Sequence, residues 1–217
     1  MKLARLRTGG SVEPYWHVQV AVLVAIALQL VLNNKLSIGP KYVIGSAELL
    51  LLLALSVFVA QVPRGIIQIR RALAILLIAI VSLANISSLL LIIHDLLGTR
   101  SISGKELLGS GLAIYLTNII IFGLWYWELD DPEVDIAEGH RDPSPDFLFP
   151  QFSVKPHTSW RPTFLDYLYI SVTNASAFSP TDTLPLTHRA KLLMTLQSLT
   201  SLVTVALVAA RAVNILT

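Results

Sequence analysis

The sequence contains no cysteine, and that absence excludes disulfides, thiolate catalysis, iron–sulfur clusters and thiolate zinc sites together. It leaves the redox compartment unread. Charge is scarce as well: Asp, Glu, Lys and Arg make up 14% of the 217 residues, and 16 basic against 14 acidic side chains leave a formal charge of +2. So small an excess carries no electrostatic footprint for nucleic acid. Apolar residues fill the space instead, at 54% of the chain with a mean hydropathy of +0.67. They fall in blocks of about twenty, which at about 1.5 Å per residue cross a hydrocarbon core of about 30 Å. The composition is that of a polytopic membrane protein whose first partner is the lipid bilayer, not of a soluble enzyme.

The basic segment 1–14 (Lys2, Arg5, Arg7) leads into an apolar run without a small-residue cleavage site, so the first span is expected to stay in the mature chain. That span covers about 15–32, with Trp16 at anchor depth, and stops at Asn33-Asn34-Lys35 before a Gly39-Pro40 loop. The second, about 44–62, is stopped by Pro63, and the third, about 72–97, is entered through Arg70-Arg71 and is long enough to tilt. The fourth, about 107–127, closes on Trp125-Tyr126-Trp127, read as an aromatic belt at a water interface.

Residues 128–162 are acidic and proline-rich, with Asp130, Asp131, Glu133, Asp135, Glu138, Asp142 and Asp146 among six prolines, and no regular element is assigned there. Phe147-Leu148-Phe149-Pro150 and Trp160 are too apolar for a tether, so this loop is expected to form an ordered cap on the helix ends. The stretch of about 163–174 is too short to cross and reads as re-entrant or interfacial, and about 188–216 is a last full span. The expected fold is an all-α membrane protein with five transmembrane helices plus one short re-entrant pore-like helix before the last span. Residues 1–106 make an N-terminal three-helix membrane region and residues 107–217 a pore-module-like region. Within the latter lie an outer helix 107–127, the loop 128–162, a re-entrant helix 163–174, a filter-like tract 175–183 and an inner helix 188–216. No internal repeat suggests a transporter built from inverted halves.

The second region carries a motif. Residues 166–182 read D-Y-L-Y-I-S-V-T-N-A-S-A-F-S-P-T-D, followed by T-L-P-L-T-H-R-A-K. This resembles the potassium-channel pore family, whose members often read D-x-L-Y-F-S-x-V-T-x-T-T-V-G-Y-G-D, then x-x-P-x-T-x-x-A-R. Asp166, Leu168, Tyr169, Ser171, Asp182, Pro185, Thr187 and Ala190 match without a gap, Lys191 stands where a basic residue is usual, and residues 208–213 resemble the end of an inner helix. The resemblance covers residues 107–217 and implies a pore-loop architecture and a homo-oligomer, tetrameric by analogy. The chain is also similar to uncharacterised bacterial integral membrane proteins with a channel-like C-terminal half and a degenerate filter.

The family's filter is missing. Where T-V-G-Y-G is usual, Ala177-Phe178-Ser179-Pro180-Thr181 stands, without either glycine and with a proline at the tyrosine position. Glycine readily takes φ > 0, whereas Pro180 fixes φ near −65°, so a potassium-selective carbonyl ladder is not expected. The tract offers side-chain oxygens instead: Thr173, Asn174, Ser176, Ser179, Thr181 and Asp182 would form rings facing water in a symmetric assembly. Alternatively these groups only cap the short helix and satisfy its turn.

On the last helix, Gln197, Ser201, Thr204, Val208 and Arg211 are spaced 4, 3, 4 and 3 and share one face, a candidate pore lining. Ser and Thr in membrane helices also bond to their own backbone or join helices, which is the competing reading. Glu48 and Arg211 are ionisable residues within spans, and each is either a functional group or an end-of-helix group reaching an interface. Asn85 and Asn118 read as interhelical hydrogen-bonding residues. His140 and His157 sit among carboxylates at spacings that match no helical metal motif, so no metal, cofactor or catalytic residue is expected.

Short-segment charges place six basic residues on the N-terminal side of the membrane against four on the other, which favours a cytoplasmic N-terminus. The resemblance implies the opposite orientation, so sidedness stays open. Three functions follow from the sequence. The first is a weakly selective, cation-conducting channel that is not potassium-selective, with Asp182 at its mouth. The second is a non-conducting scaffold or partner-binding protein that docks a protein through the acidic loop, and the third is a transporter using Glu48 as proton carrier. With Thr217 as the last residue no appended gating domain is expected, and the lack of cysteine and targeting signal fits a bacterial inner membrane.

Overall fold

The computed structural model describes residues 16–32, 45–46, 48–50, 52–53, 67–97, 103–130, 145–154, 160–178 and 182–216. Six helices are complete within these residues: α1 (Trp16–Val31), α2 (Ile67–Leu97), α3 (Gly104–Leu129), α4 (Pro150–Val154), α5 (Phe164–Ala177) and α6 (His188–Leu216). Most of the second apolar run lies outside the described residues, where positions 45–46, 48–50 and 52–53 are helical. Among the described residues three helices are long and apolar enough to cross a membrane, over Arg71–Leu96, Gly104–Leu129 and His188–Arg211, and Trp16–Leu30 is a shorter apolar helix. The protein is an integral membrane protein by these spans.

α3 is the centre of the fold. Helices α1, α2, α5 and α6 all pack on it, and 67% of its apolar window is buried inside the chain against 22% for α6. Its two faces carry different chemistry. Ile114, Ile121 and Leu124 meet α1 and α2 through Val22, Ala25, Leu77, Val81, Leu89 and Ile92, an apolar contact throughout. Trp125 adds a polar fastening on that side, its Nε1 donating to Ser82 Oγ at 3.0 Å. The opposite face presents Gly111, Asn118, Ile119, Gly123 and Tyr126 to α5 and α6.

Local signals set the helix ends. Ser103 and Glu106 form a capping box that starts α3, the Glu106 amide donating to Ser103 Oγ at 3.3 Å and the Ser103 amide to Glu106 Oε2 at 3.2 Å. Asp166, one of the residues that match the pore family's motif, plays the same part for α5 by accepting from the Thr163 amide and hydroxyl at 2.7 and 2.8 Å. Phe178 ends α5 in the left-handed conformation, φ 55° and ψ 25°, a site that glycine usually occupies. α5 thus runs on to Ala177, so residues 175–177 of the filter-like tract are its last turn. α3 likewise exceeds the expected 107–127 at both ends, because its capping box lies upstream and its aromatic end is packed rather than frayed. The Arg70-Arg71 pair falls inside α2 instead of before it.

The chain from α5 to α6 doubles back. Phe164 packs edge-on against Trp127, a Cβ built on Gly123 would lie 3.2 Å from Leu168 Cα, and Ser171 reaches the Ile119 carbonyl, so α5 descends along α3 from its C-terminal end. The return leads to β2 (Leu184–Pro185), which pairs antiparallel with β1 (Phe147–Leu148) back at that same end, Phe147 opposite Pro185. This two-residue ribbon departs from a purely helical fold. Phe147 and Phe149 are buried under Tyr126 and Tyr167, with Trp160 5.6 Å from Phe149, so the described part of the loop is a packed aromatic cap. Tyr126, read in the sequence as part of an interfacial belt, is fully buried.

Close approach of α3 and α6 depends on Gly111, where a Cβ would overlap Val208 Cγ2. Gly111→Ala is expected to cost about 1–3 kcal/mol by overpacking a stiff β-branched neighbour. Thermal unfolding in detergent checks this, and Val208→Ala placed on top should recover most of the loss.

Candidate functional site

The densest polar constellation lies where α3, α5 and α6 meet, and Gln197 is its centre. Its Oε1 accepts from Tyr126 OH at 2.6 Å and from Asn174 Nδ2 at 2.8 Å, while its Nε2 donates to Ser171 Oγ at 2.6 Å and to the Ser171 carbonyl at 2.9 Å. Ser171 passes its own proton to the Ile119 carbonyl at 2.6 Å. Asn174 also donates to the Met194 carbonyl at 2.9 Å and accepts from Ser198 Oγ at 3.1 Å. One turn further along α6, Asn118 Nδ2 donates to Ser201 Oγ at 3.0 Å. Gln197, Ser171 and Ser201 have no exposed surface at all, and Asn174 and Asn118 are 2% exposed. Each polar atom of the Gln197 amide is satisfied, which is the condition for burying it in apolar surroundings.

This arrangement places the polar stripe of α6. Gln197, Ser201 and Thr204 face inward on α3 and α5 within one chain, and Val208 lies against Gly111. Thr204 returns its proton to the Thr200 carbonyl at 2.7 Å, and Arg211 is half-buried near the far end of the helix. The face of α6 left open in the single chain is apolar: Leu192, Leu196, Leu199, Leu202, Val205 and Val213 are exposed.

The filter-like residues divide. Asn174 belongs to the buried network, whereas Ser176, Ala177, Phe178 and Asp182 are exposed and Thr173 is half-buried. Ser179, Pro180 and Thr181 lie outside the described residues, as do His140 and His157. Thr173 Oγ1 donates to the Ile170 carbonyl at 2.9 Å and Ser176 Oγ to the Val172 carbonyl at 2.8 Å. A hydroxyl that gives its proton to its own helix keeps its lone pairs directed outward.

A second polar cluster closes the C-terminal end of α3. Asp130 accepts from the Asp146 amide at 2.6 Å and from Tyr167 OH at 2.8 Å. Asp146, buried beneath the ribbon, accepts from Thr187 Oγ1 and from Arg189 Nε at 2.7 Å, and its carbonyl takes the Leu186 amide at 2.8 Å. Two carboxylates and one guanidinium thus hold α3, β2 and the start of α6 together. Burial raises the Asp130 carboxyl to about 7; the neighbouring Asp146 charge adds to the shift, and the two hydrogen bonds and Arg189 oppose it. Among the described residues no group of three or more His, Cys, Asp or Glu is placed to hold a metal ion.

Tyr126, Ser171, Ser198, Asp130, Asp146, Tyr167, Thr187 and Arg189 are members of these clusters that the sequence reading did not assign to a site. Ser171 and Asn174, three apart on a short helix otherwise rich in apolar residues, were the available signal for one face turned toward polar partners. Comparisons with protein-family models, with curated proteins and with solved structures find no match to this chain.

Two outcomes follow. Gln197→Leu strands Tyr126 OH, the Asn174 amide and the Ser171 hydroxyl together, and should lower stability by about 2–4 kcal/mol, read by thermal or detergent-induced unfolding. A carboxyl whose folded pKa lies above its unfolded value binds its proton more tightly when folded. Stability from Asp130 is therefore full below about 4 and declines as pH rises from there to about 7. The melting temperature should fall over that window, and Asp130→Asn should flatten the profile.

Proposed function

We propose that this protein spans the membrane five times and assembles as a homo-oligomer around its pore-loop-like C-terminal half. In that assembly it passes cations with weak selectivity and without preference for potassium. The observation that carries this reading is the doubling back of the chain around α5. That 14-residue helix is too short to cross and starts at the end of α3 to which the chain returns in β2. A helix that stops partway leaves backbone carbonyls at membrane depth, where only protein or water can satisfy them. The outward lone pairs of Thr173 and Ser176 lie toward that end, and together with the exposed Asp182, two residues before β2, they suit a cation better than an anion. The remaining wall is then the apolar face of α6 rather than its Gln197 stripe.

A second reading, a non-conducting membrane scaffold that docks a partner through its acidic loop, is favoured by one observation. The polar stripe that would have lined a pore is spent on holding α3, α5 and α6 together. A bacterial inner membrane suits either reading.

Ion flux from liposomes holding the purified protein separates the two. Channel activity should appear with potassium and with sodium gradients and be absent with chloride, and Asp182→Asn should lower cation flux several-fold while leaving the oligomer intact. No flux of any ion from a folded oligomer would leave the module as scaffold.

A further inference from the structure

A third buried polar contact lies in the N-terminal half, away from the pore-like module. Glu48 has no exposed surface, and the side chain that meets its carboxyl among the described residues is the neutral Gln29 of α1. The polar atom of the Gln29 amide nearest the carboxyl stands 3.2 and 3.3 Å from its two oxygens, and the other amide atom stands 3.3 Å from the Val81 carbonyl on α2. Val81 is near the middle of the apolar window Arg71–Leu96, so the contact is deep. Val22, Ala25, Ile26, Leu52, Leu77 and Ile78 form the buried apolar cluster of the same helices.

The amide can be satisfied in two ways, and each corresponds to one protonation state. With Nε2 on the Val81 carbonyl, the amide oxygen faces Glu48, and two acceptors meet unless Glu48 carries a proton that it donates to Gln29. With the amide turned over, Nε2 donates to both oxygens of an ionised carboxylate, and Val81 keeps only its helical hydrogen bond. We propose that Glu48 and Gln29 form an intramembrane proton-binding site, in which the amide turns over as the carboxyl gains or loses its proton.

Among the described residues, Glu48 is the one titratable group of its own segment, and those of the packed helices lie far along them. On α1 and α2 the titratable residues are His17, Arg70, Arg71, His94 and Asp95, all about ten or more residues along from Gln29 or Val81. α3 has no charged residue between Glu106 and Glu128; of its titratable tyrosines, Tyr126 bonds to Gln197 on the opposite face and Tyr115 is half-buried.

Dicyclohexylcarbodiimide, which attacks protonated carboxyls in apolar surroundings, tests the site on the full chain in lipid vesicles, with adducts mapped by peptide mass spectrometry from about pH 5 to about pH 9. An adduct at Glu48 that falls about tenfold per pH unit above its midpoint and is absent in Glu48→Gln is expected. In Gln29→Leu the carboxylate loses its donor, so the midpoint should move up by at least about one pH unit. No adduct at Glu48 in vesicles when the SDS-unfolded protein is labelled there would overturn the site, as would a yield that does not change with pH. An unchanged midpoint in Gln29→Leu would overturn the role of the amide. Should that variant not fold, infrared titration of the wild-type protein decides. Loss of the protonated carboxyl band must be accompanied by a shift of a side-chain amide band, and loss without that shift overturns the coupling.

Discussion

The fold of the C-terminal half depends on one buried amide. Within a bilayer, apolar contact gives no net preference for protein over lipid, so helices must be joined by close packing and by hydrogen bonds that lipid cannot offer. Gln197 supplies the second requirement for three helices at once: Tyr126 from α3, Ser171 and Asn174 from α5, and its own position on α6. Gly111 and Gly123 supply the first, letting α6 and α5 approach α3 where any side chain would intervene. Neither device suffices alone, since the hydrogen bonds fix register only if the backbones come near enough to make them.

The same economy explains why α5 can exist. A helix of 14 residues is too short to cross, and it buries Phe164, Tyr167, Ile170 and Ala175 against its neighbours. It is fixed at its start by Asp166 and the aromatic cap, and near its end by Asn174, which bonds to α6. The Asp130 and Asp146 cluster then ties the returning chain to the place where α5 began. The doubled-back segment is thereby closed at its base.

Much of this was legible in the sequence, and the losses have physical causes. Apolar blocks of about twenty residues located α1, α2, α3 and α6, and the shortness of the stretch after the acidic loop marked α5. Periodicity also identified the face formed by Gln197, Ser201 and Thr204. It does not say what that face meets, and the same spacing serves a water-lined pore or a neighbouring helix. Tyr126 was misread because an aromatic triplet at a span's end has two orientations about the helix, and only Phe147 and Gln197, distant in sequence, decide between them. The pairing of Asp130 with Asp146 was hidden for a similar reason: in a loop dense with carboxylates, composition alone does not mark the two that are buried.

The buried polar contacts differ in kind, and that difference bears on function. At Gln197 every polar atom has a partner in a single arrangement, and moving any of them breaks several bonds, so the network acts as a lock. At Glu48 the neutral amide has two arrangements of comparable satisfaction, and a proton selects between them. A membrane protein that responds to its surroundings needs an element of the second kind, because a fully committed network has no alternative state for a ligand to favour. The pore-like module therefore has the properties of a frame. The capacity to change state lies more naturally in the N-terminal helices, whose apolar contact with the other face of α3 places them one helix away from the Gln197 lock.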